Sequence, residues 1–441
     1  MKTFGETEAL IFHEEICTYA DLLKLLDGWR SRLAGHEVRP GQVVALEATY
    51  SPETCAGLLA LVERGAIVVP MTGLPEAKRR EFEEISQAEA VLTVDGEHNT
   101  VKFHRTGRRA RHEIYERLRA GRTPGLVLFS SGTTGRSKAS VLDFSKVLQR
   151  YGEPVKPRRT LSFMNIDHIG GINTLLHTLS QGGTLVTVAE RTPDAVFSAV
   201  AAHRVEVLPT TPTFLNMVLI SGAHERHDTS SLRLITYGTE PMPEQTLRAL
   251  RRALPAVRLK QTYGLSELGI LPTKSRGDDT LWVKLGQSAG FEYKIVDSVL
   301  RIRSDMAMLG YLNAPAPFDE EGWFDTQDVV ETDGEWVRIL GRTSEIINVG
   351  GEKVYPVEVE GVLLEVPNIT DVVVSGRPSP VTGMVVAATV SLAAPEERAS
   401  VARRIRAYCA GRLEPFKIPA AIDIAGTAQH SDRFKKIRST V

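Results

Sequence analysis

The chain has 441 residues, enough for two or three domains with well-buried cores. Its 53 Lys and Arg balance 54 Asp and Glu for a net charge of −1, which offers no global attraction to nucleic acid or an anionic membrane. Hydrophobic residues at 42% and charged residues at 24% exclude a largely disordered chain.

The opening MKTFGETEALIFHEE places acids where a signal peptide needs an apolar core. From Thr18 onward, Tyr19, Leu22, Leu23, Leu26, Trp29 and Leu33 keep a helical period, with Thr18 as N-cap and Asp21 three residues on. VVALEA (43–48) reads as a strand, and Ser51-Pro52 opens a helix that Gly65 ends. AIVVP, AVLTV and GLVLF follow as buried strands. The alternation continues through LSFMN, TLVTVA, VEVLPT, LRLITYG and VRLKQTYG, with helices such as PEQTLRALRRAL between them. Such a pattern predicts parallel sheets covered by helices. After about residue 280 it changes: FEYKIVD, SVLRIRS and EWVRILG are strands without intervening helices. The last hundred residues then read as a glycine hairpin (NVGGEK), a helix from Pro356, two strands, a second helix and a final strand. The predicted fold class is therefore α/β. A large N-terminal domain (1–341) combines helix-covered, mostly parallel sheets with a small β unit, and a small α+β domain spans 342–441. The basic stretch RTGRRARHE (105–113) reads as a solvated loop. Apolar runs broken by Glu63 and Arg64 fall far short of a membrane span. Cys17, Cys55 and Cys409 lie far apart without a CxxC pair, which predicts a reducing, cytoplasmic setting.

The strongest local signal for chemistry follows the strand GLVLF: Ser130, Ser131, Gly132, Thr133, Thr134 and Gly135, then Arg136-Ser137-Lys138. Small residues let backbone N–H groups turn inward, hydroxyls add donors, and Lys138 supplies a mobile cation, a combination suited to a polyphosphate. A hydroxyl-rich turn is the plain alternative at this loop alone. It is not a Walker loop, because Ala139 follows the lysine.

Taken with further segments in order, this loop resembles that of the AMP-forming acyl/aryl ligase superfamily, which includes acyl-CoA synthetases. TYGTEPMP (236–243) resembles the adenine-lining segment, with Gly238, Thr239, Glu240 and Pro241. QTYGLSE (261–267) resembles the Tyr-Gly-x-Thr-Glu motif, and GWFDTQD (322–328) the strand carrying the ribose-binding aspartate. GRTSEIINVGGEKVYPVEVE (341–360) resembles the hinge and first hairpin of a mobile C-terminal domain, and RFKKIR (433–438) the segment with the catalytic lysine.

The resemblance implies ATP-dependent activation of a carboxylic acid as an acyl-adenylate, with pyrophosphate leaving. Negative charge gathers in that transition state, so cations and donors matter more than an acid–base pair. Glu267 would hold Mg²⁺ with Ser266 beside it. Tyr263 would stack on the adenine, and Gly264 and Gly238 would let backbone approach the ligands. Asp328 and Arg342 would hold the ribose, with a salt bridge between them as the competing role. Lys435 would reach the α-phosphate, and Lys436 stays an alternative because Phe434 stands where Gly is usual. Further departures are Gln327 for Gly before Asp328 and Ala139 for the Gly that normally ends Pro-Lys-Gly.

In MNIDHIGG (164–171), His168 takes the place where amino-acid-activating relatives carry an ammonium-binding aspartate, with Asp167 beside it. This implies a fatty or aryl acid without an α-amino group, with His168 in the catalytic set or simply capping a loop. The implied acceptor is a thiol, from CoA or the pantetheine arm of an acyl carrier protein. The alternatives are an amine acceptor, or an inactive nucleotide-binding scaffold.

Overall fold

In the helix Tyr19–Gly35, Thr18 and Asp21 form the expected capping box: Asp21 N–H donates to Thr18 Oγ1 at 3.1 Å, and the Asp21 carboxylate accepts from the Thr18 backbone. The helix buries Tyr19, Leu22, Leu26, Trp29 and Leu33, each worth roughly 1.5–3 kcal/mol when fully removed from water. Its neighbour, Pro52–Glu63, starts from Ser51, whose hydroxyl accepts the Thr54 N–H. The computed structural model describes residues 2–98, 100–130, 136–286, 290–315, 317–426, 429–431 and 434–436.

Two seven-stranded sheets form the large domain. In the first, Arg258–Gln261, Leu234–Tyr237, Val207–Thr210, Arg159–Leu161, Thr184–Val186 and Glu8–Phe12 run parallel, and Glu15–Thr18 pairs antiparallel at the edge. In the second, Gly125–Ser130, Ile67–Met71, Val43–Ala48 and Ala90–Asp95 form a parallel centre. Antiparallel strands flank it, Thr100–Arg105 on one side and Lys138–Asp143 then Gly310–Tyr311 on the other. One core joins both sheets, drawing on Leu10 from the first, Val44 and Leu46 from the second, and the helices between them. A six-stranded antiparallel sheet follows, ending in the paired strands Phe324–Asp333 and Trp336–Arg342.

The chain leaves that sheet at Arg342 and enters the small domain's sheet at Ile347–Val349. There the hairpin Ile347–Val349/Glu352–Val354 joins the long pair Ile369–Ser379 and Gly383–Leu392, and Ala421–Ile424 adds a parallel strand. Helices Pro356–Leu363 and Arg398–Cys409 complete a separate core. The three cysteines are free and buried. No helix among the described residues is long and apolar enough to cross a membrane.

The main departure from the sequence reading is Lys138–Asp143, which is a strand paired antiparallel with Gly125–Ser130. Ser130 and Lys138, the residues on either side of the hydroxyl-rich segment, are therefore cross-strand partners.

Candidate active site

Ser130 pairs with Lys138 across two antiparallel strands. The residues Ser131, Gly132, Thr133, Thr134 and Gly135 lie outside the described residues. What holds the returning arm is visible. Ser137 N–H donates to Glu81 Oε1 at 3.2 Å, Asn313 Nδ2 donates to Ser137 O at 2.7 Å, and Ala139 N–H donates to Asn313 Oδ1 at 3.1 Å. A hydrogen bond from Lys78 holds the Glu81 carboxyl below the usual carboxylate range. The clamp thus keeps its acceptor charged at neutral pH.

Lys138 Nζ lies 5.6 Å from the centre of the Tyr311 ring, and the Tyr311 hydroxyl donates to Glu267 Oε1 at 2.8 Å. Tyr311 sits on the edge strand that pairs with Ser140, so sheet register brings a cation and a carboxylate from distant segments to one tyrosine. Burial and the Glu267 charge push the Tyr311 phenol up, which keeps it a donor.

A second polar knot lies nearby. The Tyr263 hydroxyl donates to Asp328 Oδ2 at 2.5 Å, and Arg342 Nε lies 3.3 Å from Asp328 Oδ1. Asp328 and Arg342 are cross-strand partners, so the ion pair follows from register. Burial raises the Asp328 carboxyl above its ordinary value, while Arg342 and Tyr263 pull it back. The salt bridge anticipated as the competing role is present, and it holds the carboxylate in place.

The loop after Leu234–Tyr237 is tightly packed. A Cβ on Gly238 would lie 2.6 Å from Thr262 O, and one on Gly264 2.8 Å from Gly269 O. Both glycines thus permit protein backbone to approach protein backbone. Thr239 follows at φ +73°, a strained conformation for a β-branched residue. Glu240 accepts from Thr213 N–H at 2.8 Å and from Lys436 N–H at 3.3 Å, so it joins the large domain to the C-terminal tail. Pro241 lines the same narrow interface with Pro212 and Glu360. Ser266 is half-buried in the turn between Tyr263–Leu265 and Gly269–Leu271.

The tail itself crosses between the domains. Thr211 Oγ1 donates to Phe434 O at 2.9 Å on the large-domain side. On the other side, Lys436 Nζ lies 3.2 Å from the buried Glu360 Oε2 and donates to Val372 O at 2.7 Å. Lys435 stands between these two anchors.

A family model described as "AMP-binding enzyme" matches residues 1–312, and one described as "AMP-binding enzyme C-terminal domain" matches residues 358–435. The chain belongs to the AMP-binding enzyme family. It is similar to indoleacetate–CoA ligase of Aromatoleum aromaticum, with 28% identity covering 95% of this chain and 91% of the relative. It is also similar to the medium/long-chain-fatty-acid–[acyl-carrier-protein] ligase FadD10 of Mycobacterium tuberculosis, with 28% identity covering 96% and 89%. Among solved structures, an anthranilate CoA ligase, AuaEII, in complex with anthranoyl-AMP superposes with a TM-score of 0.83 at 20% identity, covering 97% of this chain and 92% of that one.

In this AMP-binding enzyme, His168 is the N-cap of the helix Ile169–Ser180, its Nδ1 accepting the Gly170 N–H at 3.0 Å. Nδ1 is thus engaged in capping the helix. Asp167 beside it is buried, and its charge helps push the buried Tyr50 phenol up. Sequence reasoning missed Tyr311, Asn313 and Glu81. None carries a local signal, since each reaches the site only through the pairing of remote strands or a helix packed beside them.

Proposed function

We propose that this enzyme uses ATP to activate a fatty or aryl carboxylic acid as acyl-AMP, releases pyrophosphate, and passes the acyl group to a thiol. The observation that carries the reading is the tail: Lys435 is held between a large-domain anchor and a small-domain anchor, beside the strand ends that present Gly238–Pro241. A cation delivered by a second domain suits a step in which charge builds on the α-phosphate and its leaving pyrophosphate. Lys138 and the hydroxyl-rich loop would take the β- and γ-phosphates, and Tyr263, Asp328 and Arg342 the nucleoside. Glu267 fits Mg²⁺, a hard cation usually held by one or two carboxylates with the rest of its shell on phosphates and water. That ion would neutralise the polyphosphate while the protein orients it.

The preference for an acid without an α-amino group rests on His168, because an imidazole that turns cationic near neutral pH is a poor partner for an ammonium. Asp167 is buried beside Tyr50 rather than offered openly in its place. The acids in the relatives' names, indoleacetate and medium- or long-chain fatty acids, point the same way. For the acceptor, those relatives offer both CoA and a carrier protein. A rotation about the hinge after Arg342 would withdraw Lys435 and bring the hairpin turn at Gly350 (φ +61°) and Gly351 (φ +98°) to the site between half-reactions.

The test is pyrophosphate release with ATP and a panel of fatty, aryl and α-amino acids, with and without CoA or a pantetheinylated carrier protein. AMP and pyrophosphate should appear with a fatty or aryl acid and accelerate with a thiol. Stoichiometric ADP, or a clear preference for an α-amino acid lost in Asp167→Ala, would overturn the reading.

A further inference from the structure

Phe434 precedes Lys435, and its backbone is strained. Its φ of +51° lies in the left-handed region, where a side chain carries a steric cost that Gly avoids. The local geometry requires that conformation. Phe434 N–H donates to Ser431 O at 2.8 Å, Ser431 N–H donates to Lys435 O at 2.9 Å, and His430 bridges to Lys436. These bonds pair 430–431 antiparallel with 434–436, and a residue at φ > 0 beside such a pairing favours Gly. Gly would make the same turn with less strain, so the phenyl ring has to be explained by what it touches.

The ring packs on the large domain. Its centre lies 5.1 Å from that of Phe163 and 5.4 Å from that of Phe214, both buried in the second core of that domain. Arg191 places its guanidinium carbon 5.4 Å from the ring centre, and His430 stacks at 5.5 Å with 19° between planes. The Thr211 hydroxyl fixes the Phe434 carbonyl, and Glu240 fixes the amide two residues on. Phe434 is thus the apolar anchor on one side of Lys435, as Lys436 is the ionic anchor on the other.

We infer that Phe434 is a positioning residue. Its ring docks the tail on the large domain so that Lys435 is held in the orientation for adenylate formation, and the docking compensates the strained turn. The inference rests on the reading of Lys435 as the adenylation cation. It goes beyond that reading in assigning the placement of the lysine to the preceding aromatic ring.

The test compares the full-length wild type with Phe434→Gly, Phe434→Tyr and Lys435→Ala. Pyrophosphate release is measured with the acid best used by the wild type, and tryptic cleavage of the C-terminal tail is followed by mass spectrometry. Phe434→Gly relieves the backbone strain yet removes the ring. It should lower kcat for adenylation by about tenfold to a hundredfold, the scale of a misplaced catalytic group, with KM for ATP nearly unchanged and tail cleavage faster. Phe434→Tyr keeps the ring and should stay close to wild type in both readouts. If Lys435→Ala abolishes adenylation while Phe434→Gly remains fully active with an uncleaved tail, this inference alone fails. If Lys435→Ala keeps full adenylation, the reading of Lys435 fails and takes the inference with it.

Discussion

Lys436 Nζ lies 3.2 Å from Glu360 Oε2, and the two side chains are only 8% and 1% exposed. Glu360 also accepts the Val374 N–H at 3.0 Å, so the pair ties the helix Pro356–Leu363 to the strand Ile369–Ser379. Lys436 is therefore engaged within the small domain, which under the proposed function leaves Lys435 as the adenylation cation. Breaking a buried pair by removing one partner leaves an uncompensated charge, at a cost of about 3–5 kcal/mol. Lys436→Met should lower the melting temperature of the small domain by several degrees. Lys435→Ala should depress adenylate formation far more than it shifts melting. Calorimetry and pyrophosphate release on both variants check this, and a selective catalytic loss in Lys436→Met would reverse the assignment.

Asp328 gives a pH prediction. The Tyr263 hydroxyl bonds its charged form and so opposes the rise that burial imposes. Tyr263→Phe removes that bond, so the carboxyl should protonate at a higher pH than in the wild type. Because the anion would accept from the ribose hydroxyls, KM for ATP should begin to rise at a higher pH as the medium is acidified. Asp328→Ala should raise KM for ATP at neutral pH by about tenfold or more, on the scale of a lost charge-assisted hydrogen bond. Profiles of KM and kcat between pH 5 and 8 (about three units around neutrality) test both. An unshifted acid limb in Tyr263→Phe would remove the phenol from this role.

Among the described residues, the Glu267 side chain is held by a hydrogen bond from Tyr311. Glu267→Gln keeps an oxygen for that bond and removes the charge offered to Mg²⁺. The Mg²⁺ concentration needed for half-maximal adenylation should rise by about tenfold, the scale of a lost charged ligand, with the melting temperature unchanged. An unaltered Mg²⁺ titration would exclude the carboxylate as a metal ligand.

Local chemistry made much of the fold legible. The Thr18–Asp21 cap, the Ser51-Pro52 helix start and the continuous apolar runs around Val44 and Val68 depend on near neighbours, and the structure follows them. The site was legible only where a motif carried it. Tyr311 joins Lys138 to Glu267 through sheet register spanning more than a hundred residues of chain, a relation no window of sequence contains. Lys138–Asp143 was missed as a strand because it pairs at a sheet flank directly after a glycine-rich loop, where the turn signal dominates. The partner of Lys436, Glu360, is a buried acid in the helix from Pro356, and nothing local in the sequence marks it as buried.

Gln327 offers a test of backbone strain next to the site. Its φ is +60°, its N–H donates to Asp325 Oδ1 at 2.9 Å, and its side chain is exposed, at an irregularity within the strand Phe324–Asp333. The residue before it, Thr326, is buried and donates to Leu300 O; the residue after it is Asp328. A left-handed residue with a Cβ costs about 1–2 kcal/mol, while Gly loses about 0.5–1 kcal/mol of unfolded-chain freedom. The strain relieved thus slightly exceeds the entropy lost, and Gln327→Gly should be neutral or stabilise by up to about 1 kcal/mol. Gln327→Val adds a β-branch at the same φ, so it should destabilise and, by shifting the neighbouring Asp328, also raise KM for ATP. Melting temperatures should therefore rank Gly at or above Gln, and both above Val. A Val variant as stable as wild type, with KM for ATP unchanged, would show that the strand turns there without the strain its dihedral implies.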